Sequence, residues 1–182
     1  MPALDGQKIL LCVCGGIAAY KAAELVRRLG DAGAQVQVAM TENAQRFVTA
    51  TTFQALSGRP VRTSLWDHAA EAAMGHIELA RWPDRILLAP ATANTIARLA
   101  HGFADDLVST LCLASDAPVA IAPAMNRMMW AHPATRANVE TLRGRGVLVL
   151  GPEVGDQACG EVGEGRLLEP AKIVAALARD SG

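Results

Sequence analysis

Residues 8–40 read KILLCVCGGIAAYKAAELVRRLGDAGAQVQVAM: an apolar run, a double glycine, an amphipathic segment and a second apolar run. Residues 8–14 are apolar almost throughout, as a central strand buried on both faces requires. Gly15 and Gly16 follow at once. From residue 18 to 29, Ala19, Ala22, Ala23, Val26 and Leu29 recur at helical spacing and form one face. Gly30 and Gly33 bracket the end of that helix, and residues 35–40 form a second strand. Strand, helix and strand make a β-α-β unit, whose crossover is right-handed.

The rest of the chain repeats this alternation. Thr41 stands where a helix over residues 41–47 would need its cap, and residues 51–56 form a short helix. Residues 58–75 are the least periodic section. Further strands are expected at 84–90, 119–122 and 147–150, with helices at 92–100, 105–113, 132–142 and 170–179. Residues 151–165, with five glycines, read as a loop. Strands alternating with helices specify an α/β fold, a three-layer Rossmann-like or flavodoxin-like sandwich on a mainly parallel sheet. A length of 182 residues fits one domain spanning 1–182.

Composition narrows the function classes. The net charge is −1, so no basic surface calls for nucleic acid or an acidic membrane. No apolar run approaches membrane-spanning length, and no basic leader with a cleavage site opens the sequence. Four cysteines in a chain of this size do not make a disulfide scaffold. The expectation is a soluble cytoplasmic protein. The histidines and cysteines are scattered, without metal-ligand spacing. Cys12 and Cys14 alternate with Val13 on one face of a strand and read as inert small hydrophobes, as does Cys112 on a helix. His68, His101 and His132 read as surface or capping residues.

Three strand ends carry polar or glycine-rich chemistry, and ligands of open α/β sheets bind there. Gly15 and Gly16 form either a tight turn or a phosphate loop in which backbone N–H groups meet an anion at a helix start. The loop lacks the G-x-G-x-x-G fingerprint, and strand two ends in Met40-Thr41 with no acidic residue for a ribose, so a dinucleotide is disfavoured. A mononucleotide with one phosphate, such as FMN, fits better. At the end of the third strand, Thr92, Asn94 and Thr95 cluster beyond Pro90, more polar groups than one helix cap needs. After the fourth, Pro-Ala-Met-Asn at 123–126 leads into a helix. Asn126 is either its N-cap or a ligand group offering an amide donor and a carbonyl acceptor. His76 and Cys159 are each either structural or chemical residues; Cys159 lies in a glycine-rich loop able to close over a ligand.

These motifs, in this order, resemble the flavin-dependent cysteine decarboxylase family. They are Gly-Gly-Ile-Ala-Ala-Tyr-Lys at 15–21, Thr-Glu-Asn-Ala-Gln-Arg-Phe at 41–47 and Ala-Pro-Ala-Thr-Ala-Asn-Thr at 89–95. Pro-Ala-Met-Asn with Met129-Trp130 and Cys-Gly-Glu-x-Gly at 159–163 complete the set. The resemblance implies an FMN held by Gly15, Gly16, Ile17, Ala18, Thr41, Phe47, Ala91, Thr92, Asn94 and Thr95. It implies that Asn126 binds the substrate carboxylate, with Ala124, Met125, Ala158 and Gly160 also contacting substrate. His76 would be the acid/base and Cys159 the proton donor in the last step. The implied substrate is phosphopantothenoylcysteine, decarboxylated to phosphopantetheine in coenzyme A biosynthesis. Family members form trimers with active sites between subunits, or dodecamers of four trimers, and Met128, Met129 and Trp130, if exposed, would suit such an interface. In many bacteria the domain continues into a synthetase domain.

The chemistry of such a reaction can be argued independently. An acylated cysteine cannot lose CO2 directly, because the carbanion has no electron sink. Oxidising the thiol to a thioaldehyde places C=S beta to the carboxylate; that group accepts the electrons as CO2 leaves, giving an ene-thiol, and hydride returned from reduced flavin then gives the saturated thiol. Related readings are a peptidyl-cysteine decarboxylase, a halotolerance-type phosphatase regulator and a flavin prenyltransferase. Retention of Cys159 opposes the first, the lack of long acidic extensions the second, and Pro-Ala-Met-Asn the third.

Overall fold

The computed structural model describes residues 3–66, 75–156, 158 and 160–180. Five strands form the main sheet: β1 (Lys8–Val13), β2 (Gln35–Met40), β3 (Arg85–Ala91), β4 (Val119–Pro123) and β5 (Leu148–Val149). All pair parallel, in the order β2-β1-β3-β4-β5. This is the flavodoxin-like order, and it reverses direction between β1 and β3.

Side-chain alternation along the strands builds two cores. Ile9, Leu11, Val13, Val38, Leu87 and Ala120 face one side. There they meet Leu25, Val26 and Leu29 of α1 (Tyr20–Asp31), Phe53 of α2 (Ala50–Ser57), and Ile173 and Leu177 of α8 (Pro170–Asp180). Leu10, Cys12, Ile86, Leu88 and Ile121 face the other. They pack on Leu79 of α3 (His76–Arg81), Ile96 of α4 (Ala93–His101), Val108 and Leu111 of α5 (Leu107–Ala114), and Val139 and Leu142 of α7 (Pro133–Gly144). With few aromatics, the interior is filled by Leu, Ile, Val and Ala, and close helix-on-sheet packing follows.

The strands lie within a residue or two of their expected limits. Three departures matter. Residues 151–165 are not simply a loop: β6 (Glu153–Asp156) and β7 (Val162–Arg166) form an antiparallel hairpin. Its Val154 and Val162 are exposed, so no buried alternation marks it in the sequence. The six-residue α3 is too short to show a period of its own, yet it buries Leu79 and Ala80. The expected helix at 41–47 is a 3-10 turn, Asn43–Arg46, although Thr41 Oγ1 does accept a hydrogen bond from the Ala44 N–H at 3.2 Å. Among the described residues, no helix is long and apolar enough to cross a membrane.

Candidate functional site

A cavity of about 990 Å³ opens beyond the carboxyl ends of the strands, where the sheet order reverses. Gly15, Gly16, Ile17 and Ala18 form one wall, Thr41 to Asn43 another, Thr92 to Thr95 a third and Ala124 to Asn126 a fourth.

Each wall is held by its neighbour. The Cys14 N–H donates to the Pro90 carbonyl at 3.3 Å, tying the end of β1 to that of β3. Thr41 N–H donates to Val13 O at 3.0 Å. Gly15 is packed so closely on the Thr41 turn that a Cβ there would lie 2.5 Å from Asn43 Cβ. Gly16 is different: its backbone is extended, with φ −165°, and the nearest atom to an added Cβ is the Thr92 methyl at 4.0 Å. The 3-10 turn Ile17–Ala19 that follows has no side-chain cap, so its first N–H groups remain available to an anion at the cavity wall.

On the third wall, Thr92 Oγ1 caps α4 by accepting from Thr95 N–H at 3.2 Å, and the two hydroxyls lie 3.1 Å apart. Asn94 is not needed for the cap and lines the cavity. Ala91 is wholly buried and does not line it; its carbonyl accepts from Ala124 N–H at 3.0 Å, which sets the Asn126 segment beside Thr92.

Asn126 serves as cap and donor at once. Its Oδ1 accepts from Met128 N–H at 2.8 Å, capping α6 (Arg127–Ala131). That bond turns the amide so that Nδ2 donates to the Glu161 carboxylate at 3.0 Å. The β6–β7 hairpin docks on this segment: Met125 N–H donates to Gly165 O at 2.9 Å and Trp130 Nε1 to Glu164 Oε2 at 3.0 Å.

The other expected residues fall as follows. Ala158 lines the cavity; Gly160, at φ +82°, does not. Phe47 is half exposed and His76 opens α3, both outside the residues that line it. Cys159 and His68 lie outside the described residues. Met128 and Met129 are exposed, but Trp130 is not: only 3% exposed, it turns inward beneath the Arg136 guanidinium, 4.9 Å from its ring centre. Trp130 is therefore core and not interface. His132 caps α7, its Nδ1 accepting from Ala134 N–H at 3.2 Å.

Sequence reasoning passed over three cations at the cavity, Lys21, Arg98 and Arg166. Lys21 and Arg166 both line it and both hold Glu169, at 2.9 and 2.7 Å. The Lys21 hydrogen bond leads in holding the Glu169 carboxyl below its usual range. Lys21 stood inside a quoted motif, whereas Arg166 was hidden with the hairpin. Beneath the site, burial pushes the Cys14 thiol up to about 12, against a smaller opposing hydrogen bond with Thr95. Cys12 is also raised, first by its hydrogen bond with Cys112 and then by burial. Neither thiol is an available nucleophile.

An uncapped helical start, a glycine with open space before it and a hydroxyl-lined opposite wall fit a phosphorylated planar cofactor. From residue 2 to 181 the sequence matches the Flavoprotein family.

The chain belongs to that family.

It is 60% identical over 175 residues to the Coenzyme A biosynthesis bifunctional protein CoaBC of Vibrio vulnificus. That match covers 96% of this chain and 44% of the relative, so the chain spans less than half the length of this curated relative. Among solved structures, a PPC decarboxylase mutant complexed with pantothenoylaminoethenethiol superimposes with a TM-score of 0.85 at 27% identity, covering 97% of this chain and 98% of that one. The FMN-dependent cysteine decarboxylase SpaF gives 0.79 at 30% identity, with 97% and 99% covered.

Proposed function

We propose that this chain is an FMN-dependent decarboxylase that converts phosphopantothenoylcysteine to phosphopantetheine in coenzyme A biosynthesis. The observation that carries the reading is the orientation of Asn126. With Oδ1 committed to the helix cap, the amide offers its donor end, and that donor meets a carboxylate. A group so fixed recognises the anion that the reaction removes. The likeness to CoaBC and to PPC decarboxylase supports the substrate.

The N–H groups of Gly16, Ile17 and Ala18 would hold the cofactor phosphate, with Thr41, Thr92, Asn94 and Thr95 along its length. When bound, the flavin supplies two-electron oxidation of the substrate thiol and returns the hydride at the end. The chain's own residues bind, orient and move protons. Asn126 holds the carboxylate until it leaves, flanked by Ala124 and Met125. His76 accepts and returns the thiol proton, and Cys159, between Ala158 and Gly160, delivers a proton to carbon in the last step.

His76 and Phe47 are not among the residues that line this cavity. The reading therefore includes a trimer, or a dodecamer of trimers, in which a neighbouring subunit brings such groups to each site. Exposed Ile17, Tyr20 and Met129 at the cavity suit a covering neighbour. It further includes a cytoplasmic location and a fused synthetase domain in the full-length protein.

The purified protein should be yellow, and heating should release a chromophore with the mass of FMN. Incubation with phosphopantothenoylcysteine should release CO2 and form phosphopantetheine. FAD in place of FMN, or turnover only of peptides ending in cysteine, would contradict the proposal. Asn126→Asp sets two carboxylates against each other at a desolvated site, so flavin should be retained and turnover lost.

A further inference from the structure

The Asn126 amide is already in use. Glu161 stands just before β7, and its Oε2 accepts from Asn126 Nδ2 at 3.0 Å. The adjacent Arg127 reaches the same carboxylate twice, Nε to Oε2 at 3.3 Å and Nη2 to Oε1 at 3.4 Å. Asn126 and Arg127 together thus form a seat for one carboxylate, and Glu161 is in it.

Other contacts also dock the hairpin. Gly165 holds Met125, Glu164 holds Trp130, and Gly163 lies so close to Arg127 that a Cβ there would stand 2.9 Å from Arg127 Cδ. Glu161 can therefore leave the amide while the hairpin remains in place. Its side chain is 41% exposed, so it has solvent to move into.

We infer that Glu161 is a built-in competitor for the substrate carboxylate, an inference that rests on the function proposed above. Asn126 faces the cavity. A substrate carboxylate on its amide would stand beside that of Glu161, and like charges so placed repel. Substrate must displace Glu161 to take Asn126. Loss of CO2 removes the substrate carboxylate. Glu161 then returns to the amide and the guanidinium, which it holds in the absence of substrate. Substrate bears the cost of displacing Glu161, whereas the decarboxylated product does not.

The test is calorimetric titration of the FMN-loaded protein with phosphopantothenoylserine, whose hydroxyl cannot enter the reaction, and with its carboxamide. An exposed ion pair is modest in strength, so E161A should bind the carboxylate probe about two- to fivefold more tightly than wild type. Binding of the carboxamide should not change. E161Q, which keeps an acceptor but no charge, should shift the same way by less. Equal tightening of both probes would make Glu161 a steric feature of the rim, and unchanged or weaker carboxylate binding would make it a support for Asn126; either overturns the inference. Should wild type decarboxylate phosphopantothenoylcysteine while E161A shows no such gain, the inference alone fails. Should wild type neither turn over that substrate nor bind either probe, the proposed function fails and the inference with it.

Discussion

Gly15 and Gly16 are neighbours with different physical reasons for being glycine. At Gly15 an added methyl meets Asn43 Cβ at 2.5 Å and its backbone carbon at 2.7 Å. Gly15→Ala must push the Thr41 turn away, at a cost of about 1–3 kcal/mol. At Gly16 the backbone is extended and the space open, so Ala is neutral or stabilises the cofactor-free protein by up to about 1 kcal/mol. Its methyl would nevertheless stand where the phosphate is proposed, and FMN affinity should fall about tenfold. Urea titration of cofactor-free protein beside FMN titration would separate the two effects; equal loss of stability in both variants would refute the distinction.

Cys14 makes a prediction about pH. Burial holds its thiol at about 12, while the ordinary value is 9.0. Between these values the unfolded chain sheds a proton that the folded chain keeps. The stability linked to this thiol is therefore complete below pH 9.0 and falls as pH rises toward 12. The slope is up to ~1.4 kcal/mol per pH unit, and Cys12 adds to it in the same direction. Urea midpoints measured at about pH 8 and about pH 10.5 should differ less in Cys14→Ala than in wild type. A slope unchanged by the substitution would assign the alkaline loss to other groups.

At the scale of elements, caps and docking contacts set the cavity walls. Asp106 caps α5 through a reciprocal box: its Oδ1 accepts from Ser109 N–H at 2.7 Å, and Ser109 Oγ accepts from Asp106 N–H at 3.3 Å. Asp106→Ala should cost about 0.5–2 kcal/mol, read from the urea midpoint. The hairpin depends on α6 in a similar way. Trp130→Phe keeps the buried ring surface but loses the donor to Glu164, at a net cost of about 1 kcal/mol. Hydrogen exchange should quicken in Val162–Arg166 while β1 and β3 stay protected. Exchange rising evenly through the sheet would instead mark Trp130 as a general core residue.

At the scale of the molecule, the cavity sits at the switch point of a 2-1-3-4-5 sheet and bears exposed Ile17, Tyr20 and Met129. Exposed apolar groups beside a polar site are what a second subunit would cover. Light scattering should give a trimer or a multiple of it, and Met129→Glu should lower that mass and the turnover together. A fully active monomer would remove the assembly from the proposed function.

Most of the layout was legible in the chain because it depends on local regularities. The near-uniform apolarity of residues 8–14 and 119–122 marks strands buried on both faces, and the helical spacing from Ala19 to Leu29 marks what covers them. Gly15, Thr92 and Asn126 could be singled out because they follow strand ends, where a parallel sheet opens its crevice. What each does there was left open by the chain alone. The Asn126 amide becomes a directed donor because Met128 N–H takes its oxygen, and its donor is engaged because a hairpin thirty-odd residues on brings Glu161 to it. That hairpin has glycines and exposed valines in place of an apolar period, so its pairing is held by docking and leaves no local pattern. The inward turn of Trp130 was decided in the same way, by Arg136 and Glu164 acting on a helix one turn long. Periodicity settles which surfaces are buried, since burial repeats along each element; which polar atom meets which depends on contacts between elements, and only the tertiary structure decides those.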